Sequence, residues 1–275
     1  MPALRDQTLA VLGAGNIGRA LVGGLLRGGD LDASRIRATR RSEGGRDELR
    51  RRFPGVAVSA DNVGAVRGAS VVLVSVKPQN AAGLFDEVRG HVAPDALVLS
   101  TLAGVTTAAL ADALGADLPV VRAMPNTPAL VDEAATAIAP GAHATDDHVA
   151  LAREVFLAVG HVVEVVPEHL MDAVTGLSGS GPAYVFMVIE ALTDAGVRQG
   201  LPRETACRLS MQTVLGAARL AIETGEHPAV LRDQVTTPGG TTISAVAELE
   251  KHGLRSMFID TVAAATERSR QLGER

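Results

Sequence analysis

The chain has 275 residues, a formal net charge of −5, 47% hydrophobic and 2% aromatic residues, and no tryptophan. That length buries a sizeable core and points to two domains, while the acidic balance and the scarcity of aromatics argue against a nucleic-acid partner. No apolar run approaches a membrane span and no secretory pattern opens the sequence, so the expectation is a cytoplasmic protein without membrane contact.

From the start to about residue 166, short β-branched runs alternate with amphipathic stretches, the pattern of a doubly wound parallel sheet. The first predicted strand, 8–12, runs directly into Gly13-Ala14-Gly15-Asn16-Ile17-Gly18 and then a helix over 17–27. This fits G-x-G-x-x-G in the strand-to-helix context that gives the motif meaning. Gly13 makes the turn, Gly15 lets the backbone approach a pyrophosphate, and Gly18 permits close strand–helix packing. A glycine-rich turn with no ligand is the plainer alternative.

The second strand, 35–39, is followed by Arg40-Arg41-Ser42 and a helix over 44–52. A binder of NAD carries an acid at that strand tip, to hold the ribose hydroxyls. Two guanidiniums and a hydroxyl suit the extra phosphate of NADP instead; the competing reading is a solvated basic turn. NADPH is therefore the expected cofactor, with NADH as the lesser alternative.

Further strands are predicted at 56–59, 70–76, 96–100, 118–122, 135–139 and 162–166, with helices at 79–88, 106–114 and 146–159. Most strands are apolar on both faces, as buried parallel strands are. Two turns stand at the carboxyl edge, where such folds gather their binding groups. One is Val76-Lys77-Pro78-Gln79. Lys77 is one of only two lysines, the other being Lys251. The other turn is Met124-Pro125-Asn126-Thr127-Pro128, whose prolines stiffen the backbone around the Asn126 amide. Singly each reads as a rigid turn; beside the glycine loop they point to a site.

Beyond Pro167 the predicted elements are all helical: 168–177, 182–198, 202–223, 229–235, 242–251 and 254–271. The domains are thus expected at 1–166 and 167–275. The helix at 202–223 is apolar over most of its surface (Ala206, Leu209, Met211, Val214, Leu215), more than a small domain can cover, which suggests burial between subunits. Cys207, the single cysteine, lies in this patterned segment and reads as a buried structural thiol. The scattered histidines show no ligand spacing, so no metal site is expected. The run Thr237-Pro238-Gly239-Gly240-Thr241-Thr242 opens a helix with glycines and hydroxyls, the make-up of an anion site. Its plain alternative is a capped turn.

The glycine fingerprint, Lys77-Pro78-Gln79, Met124-Pro125-Asn126-Thr127-Pro128, Gly179-Ser180-Gly181-Pro182-Ala183-Tyr184 and Thr237-Pro238-Gly239-Gly240-Thr241-Thr242 follow one another in this order. Together they resemble pyrroline-5-carboxylate reductase, nearly end to end. The last two motifs are specific; the first is common to many dehydrogenases. The resemblance implies an N-terminal Rossmann domain and an all-α C-terminal domain that dimerises by interleaving helices, often into larger assemblies of dimers. It implies reduction of 1-pyrroline-5-carboxylate to L-proline with NADPH or NADH, the last step of proline biosynthesis.

On that resemblance, Gly13, Gly15, Asn16, Ile17, Gly18, Arg40, Arg41, Ser42, Val76, Lys77, Pro78 and Asn126 are expected at the cofactor. Ser180, Gly239, Gly240, Thr241 and Thr242 are expected at the substrate. Thr242 is the first choice for a hydrogen bond to the ring nitrogen, with Lys77 as the second catalytic candidate. Glu223 and Glu226 flank the turn before His227-Pro228, and either or neither approaches the substrate. Two rivals remain. A β-hydroxyacid dehydrogenase needs a lysine on a C-terminal helix, where this chain offers only Lys251. A non-catalytic NADP(H) sensor would leave the Thr237–Thr242 run unexplained.

Overall fold

The computed structural model describes residues 3–115 and 117–273, which fall into two compact units, Met1–Ser180 with Ala264–Arg275, and Gly181–Ala263. By compactness the first unit extends past the expected boundary at 166/167, and the end of the chain returns to it.

The first unit is built on one eight-stranded sheet. Its strands are β1 (Leu9–Leu12), β2 (Ile36–Thr39), β3 (Ala57–Ser59), β4 (Val71–Val74), β5 (Leu97–Ser100), β6 (Val120–Met124), β7 (Ala134–Pro140) and β8 (Gly160–Val165). They lie in the order β3-β2-β1-β4-β5-β6-β7-β8. The chain builds outward from β1 through β2 to β3, then crosses back to β4 on the other side of β1, so the order reverses between β1 and β4. That is the switch point where such sheets open a crevice at their carboxyl edge.

Successive side chains alternate across the sheet. Leu9, Val11, Leu73 and Leu99 join one buried cluster with residues of α1 (Asn16–Gly28), α2 (Glu43–Arg52) and α6 (Asp146–Leu157). Ala10, Leu12, Val72 and Val98 join the other with α3 (Asn62–Val66), α4 (Ala81–Val88) and α5 (Thr107–Leu114). Helices thus cover both faces, which is why the strands are apolar runs rather than alternating ones. Each buried Leu contributes on the order of 1.5–3 kcal/mol.

The sheet is not wholly parallel: β6 and β7 run antiparallel, Met124 opposite Ala137 and Val121 opposite Pro140. The connection is one short turn centred on Thr127–Val131, too short for the crossover a parallel pair needs. After it, α6 carries the chain across to a parallel β8. Helix α3 was not expected from the pattern. It has five residues and starts because the Asp61 carboxylate accepts from Gly64 N–H at 2.8 Å.

The single helix expected at 168–177 is instead a 3-10 turn, a short α7 (Met171–Val174) and a π-helical turn over Thr175–Gly179. Ser180 N–H reaches back five residues to Thr175 O at 2.9 Å. This segment is fastened to the sheet. Glu168 accepts from Thr107 N–H at 2.7 Å and Thr107 Oγ–H at 2.8 Å, and it lies 3.8 Å from the Arg122 guanidinium of β6. Burial pushes the Arg122 guanidinium below its ordinary value, opposed by the charges of Glu168 and Asp172. Asp172 accepts from Ser269 Oγ at 2.6 Å, which fastens the end of the chain as well.

The second unit contains α8 (Gly181–Arg198), α9 (Arg203–Thr224), α10 (Pro228–Gln234), α11 (Thr241–Lys251) and the first part of α12 (Leu254–Gly273). Gly196 of α8 admits Ala206 of α9 closely; an added Cβ there would lie 3.0 Å from the alanine methyl. In α9 only Ala206 and Ser210 are buried. Phe186, Met187, Leu209, Leu215 and Ile222 stand exposed in the single chain. Cys207 is half-buried rather than buried. Leu209 and Met211 of the same helix are exposed beside it in sequence. No helix among the described residues is long and apolar enough to cross a membrane. No group of three or more His, Cys, Asp or Glu side chains among them could hold a metal ion.

Candidate active site

A cleft of about 470 Å³ opens at the carboxyl edge of β1, β2 and β4. Its walls include Gly13, Gly15, Arg40, Arg41, Val76 and Lys77. Gly13 has φ +75°, and a Cβ on it would run into the Val76 side chain and stand 3.2 Å from Val76 Cα. Only glycine satisfies both the left-handed backbone and that approach. The loop is fixed from β2: Gly13 N–H donates to Thr39 Oγ1 at 3.2 Å, and Ala14 N–H to Thr39 O at 2.9 Å.

Gly15 is the N-cap of α1 and has no side chain to block the helix start. Gly18 lies one turn deeper, where an added Cβ would be 3.1 Å from Val11 Cγ1. Asn16, Ile17 and Gly18 form the first turn beneath the loop rather than the cleft wall. Asn16 Oδ1 accepts from Arg19 Nη2 at 2.8 Å, and Arg19 pairs with Glu48.

At the tip of β2, Arg40 Nη1 donates to Ala14 O at 3.2 Å, which lays its guanidinium along the glycine loop. Arg41 is exposed at the rim. Ser42 is the N-cap of α2, but its hydroxyl makes no capping hydrogen bond, and it does not line the cleft. At the end of β4, Val76 forms the floor and Lys77 is exposed beside it. Pro78 opens a 3-10 turn before α4 and stays outside the wall.

Asn126 is not in this cleft. Its Oδ1 accepts from Ala135 N–H at 3.1 Å and its Nδ2 donates to Ser178 Oγ at 3.3 Å. The register of β7 against β8 shifts between Ala134 and Ala135, so the Asn126 amide serves a backbone group that the irregular ladder leaves over. The cleft also contains Asn62, Asn80 and Glu87, which the sequence reading missed. Asn62 Nδ2 donates to Glu87 Oε2 at 2.9 Å. Asn80 had a signal, three residues past the strand-end lysine; Asn62 and Glu87 come from the unforeseen α3 and the last turn of α4.

Ser180 is the last residue of the first unit and half-buried. Gly239, Gly240, Thr241 and Thr242 belong to the second. There Gly240 N–H closes a turn onto Thr237 O at 3.0 Å, with Gly239 at φ +70°. Gly240 is the N-cap of α11 and no side chain caps the helix. The N–H groups of its first turn are therefore open to an anion. Thr242 is half-buried in that turn. Glu223 accepts from Arg219 Nε at 2.7 Å, and Glu226 from Gln234 Nε2 at 2.7 Å, so each carboxylate has a partner in its own unit.

Two family models match the chain: pyrroline-5-carboxylate reductase dimerisation over residues 168–272, and NADP oxidoreductase, coenzyme F420-dependent, over residues 8–104. A pyrroline-5-carboxylate reductase of Methanosarcina acetivorans is 44% identical over 272 residues, covering 99% of this chain and all of the relative. Among solved structures, a pyrroline-5-carboxylate reductase from Coxiella burnetii aligns with TM-score 0.91 at 39% identity, covering 97% of this chain and 98% of that one. The Plasmodium falciparum pyrroline carboxylate reductase, with NADP bound, aligns with TM-score 0.87 at 26% identity over 98% of this chain and 99% of that one.

Proposed function

The chain belongs to the pyrroline-5-carboxylate reductase family, and from that premise we propose how its residues divide the work. It reduces 1-pyrroline-5-carboxylate to L-proline with NAD(P)H, the final step of proline biosynthesis. The observation that carries the residue assignment is the cleft gathering Gly13, Gly15, Arg40, Arg41, Val76 and Lys77 at the switch point of the sheet.

That cleft fits a dinucleotide. The glycine loop has no side chain where a pyrophosphate must come close, and α1 starts beneath it. Gly13, Gly15 and the first turn of α1, Asn16, Ile17 and Gly18, hold the pyrophosphate. Arg40, Arg41 and Ser42 take the 2′-phosphate, which makes NADPH the better donor. Val76, Lys77 and Pro78 border the cofactor, and Asn126 acts on it through the loop it stiffens. Bound NAD(P)H supplies the hydride that is added to the imine carbon.

The substrate carries a carboxylate and an imine. The open N–H groups at Gly239, Gly240 and Thr241 hold the carboxylate, and Thr242 donates an O–H hydrogen bond to the ring nitrogen, which takes its proton from solvent, through that hydroxyl or a water beside it. Because an iminium accepts hydride readily, orientation and a hydroxyl or water at the nitrogen suffice without a strong side-chain acid. Ser180 borders the substrate, and Lys77 adds positive charge at the edge of the reacting site. Residues 167–275 serve as the helical dimerisation and substrate-binding region, residues 1–166 as the dinucleotide-binding region. The working form is a homodimer or an assembly of dimers, in the cytoplasm, without nucleic-acid or membrane partners.

Steady-state kinetics on the double variant Arg40→Ala, Arg41→Ala test the phosphate assignment. The KM for NADPH rises about tenfold or more while that for NADH stays near the wild-type value, and the difference shrinks with salt as exposed charge pairs are screened. Equal losses with both cofactors would remove these arginines from the phosphate site.

A further inference from the structure

Two consecutive glycines, Gly44 and Gly45, stand in the first turn of α2, although each weakens a helix relative to alanine. Their surroundings differ. A Cβ on Gly44 would meet nothing within 4 Å. A Cβ on Gly45, which is buried, would collide with Arg40 Nε, stand 2.6 Å from Arg40 Cδ and 2.7 Å from Ser42 Oγ. Arg40 therefore lies across the bare face of Gly45 on its way to Ala14 O. The next residue, Arg46, donates from Nη1 to Arg40 O at 3.1 Å and to Arg41 O at 2.6 Å, which fixes the backbone of the same turn.

We propose that Gly45 and Arg46 are positioning residues for cofactor choice: Gly45 is the seat that lays the Arg40 guanidinium against the glycine loop, and Arg46 holds the turn that presents it. Neither needs to touch the cofactor. An alanine at 45 leaves the helix at least as stable but lifts Arg40 off its seat, because the long side chain yields before the backbone does. The effect falls on the 2′-phosphate, since a free ribose hydroxyl makes no demand on that guanidinium. The inference rests on the reading of Arg40 and Ser42 as phosphate ligands.

The test compares Gly45→Ala, Gly44→Ala, Arg46→Met and Arg40→Ala in the full-length enzyme. Three quantities are read: the KM ratio of NADPH to NADH, the binding of 2′,5′-ADP against 5′-AMP by titration calorimetry without substrate, and the melting temperature. Gly45→Ala should raise the ratio about tenfold, the size of one charge-assisted contact, and weaken 2′,5′-ADP alike, while melting at or above wild type. Arg46→Met should move both in the same direction, and Gly44→Ala neither. A folded Gly45→Ala enzyme that matches Gly44→Ala in both readouts, while Arg40→Ala loses 2′,5′-ADP, overturns the seat and leaves the phosphate reading standing. An Arg40→Ala enzyme unchanged in both overturns the phosphate reading and the seat with it. Should Gly45→Ala not fold, Arg46→Met decides by the same two readouts.

Discussion

The guanidinium of Arg122 lies 3.8 Å from the carboxylate of Glu168, with Arg122 itself only 3% exposed and its Nε and Nη2 without a hydrogen-bond partner. A buried cation with one close carboxylate behaves asymmetrically. Glu168→Ala leaves the charge with only Asp172 to offset it and also strips the start of α5 of its acceptor at Thr107. It should cost about 2–3 kcal/mol, below the range for a fully buried pair because Glu168 keeps 28% exposure. Arg122→Met replaces an incompletely bonded cation by an apolar chain of similar length and should be neutral or stabilising. Urea unfolding of both variants checks the pair; a Glu168→Ala protein as stable as wild type would contradict it.

Gly13→Ala meets two obstacles at once, a φ of +75° and the side chain of Val76. The variant should lose about 1–3 kcal/mol and bind NADPH poorly. Adding Val76→Ala removes the closest contact but neither the approach to Val76 Cα nor the backbone strain, so it should restore part of the stability. Denaturation together with NADPH fluorescence titration reads both effects. Failure of the second substitution to recover anything would show that the clash is not the cause.

Thr242→Val keeps the shape of the side chain at the start of α11 and removes its hydroxyl. If that hydroxyl bonds the ring nitrogen as hydride is added, turnover should fall about tenfold to a hundredfold, roughly 1–3 kcal/mol of barrier. NADPH affinity should hold, because the glycine loop is untouched. Wild-type turnover in the folded variant takes Thr242 out of the mechanism.

The exposed apolar side chains of α8 and α9 call for a second copy of the chain. Ile222 is 80% exposed, Met187 68% and Leu215 59% in the single chain, within a segment matched by the dimerisation model. Such a surface belongs to a large, core-like interface. Light scattering should give at least a dimer for the wild type, and Leu215→Arg should yield a smaller, inactive species. An active, stable wild-type monomer at assay concentration would refute this.

The inner strands were legible because a sheet covered on both faces writes itself as apolar runs, as at Leu9–Leu12, Val71–Val74 and Leu97–Ser100. The reversal of β7 was not, since periodicity carries no direction; only the short turn before Ala134 hinted at it. Helix α3, at five residues, is too short to show a period, and so Asn62 and its neighbour Glu87 in the cleft went unseen. The π-helical turn at Thr175–Gly179 shares a helical pattern with the α-helix expected there. The Arg40–Arg41 turn was visible as chemistry, because a strand tip without an acid is a local fact. Its seat on Gly45 was not, because a close approach exists only once α2 has folded back onto the turn. The same holds for Asn126: two prolines announced a stiff loop, but the bulge at Ala134/Ala135 that engages its amide arises from tertiary register.

The central claim is that this chain reduces a cyclic imino acid with a nicotinamide donor. The measurement that tests it most directly is the initial rate of NADPH oxidation by the purified protein with 1-pyrroline-5-carboxylate, followed by the cofactor's absorbance and run beside its six-membered-ring analogue and a set of 2- and 3-hydroxy acids assayed in the oxidative direction with NADP⁺. The account predicts the highest kcat/KM for 1-pyrroline-5-carboxylate, L-proline as the product, and no turnover of the hydroxy acids. Turnover of a hydroxy acid in preference to the imine, or NADPH binding with no turnover of any substrate, would contradict it.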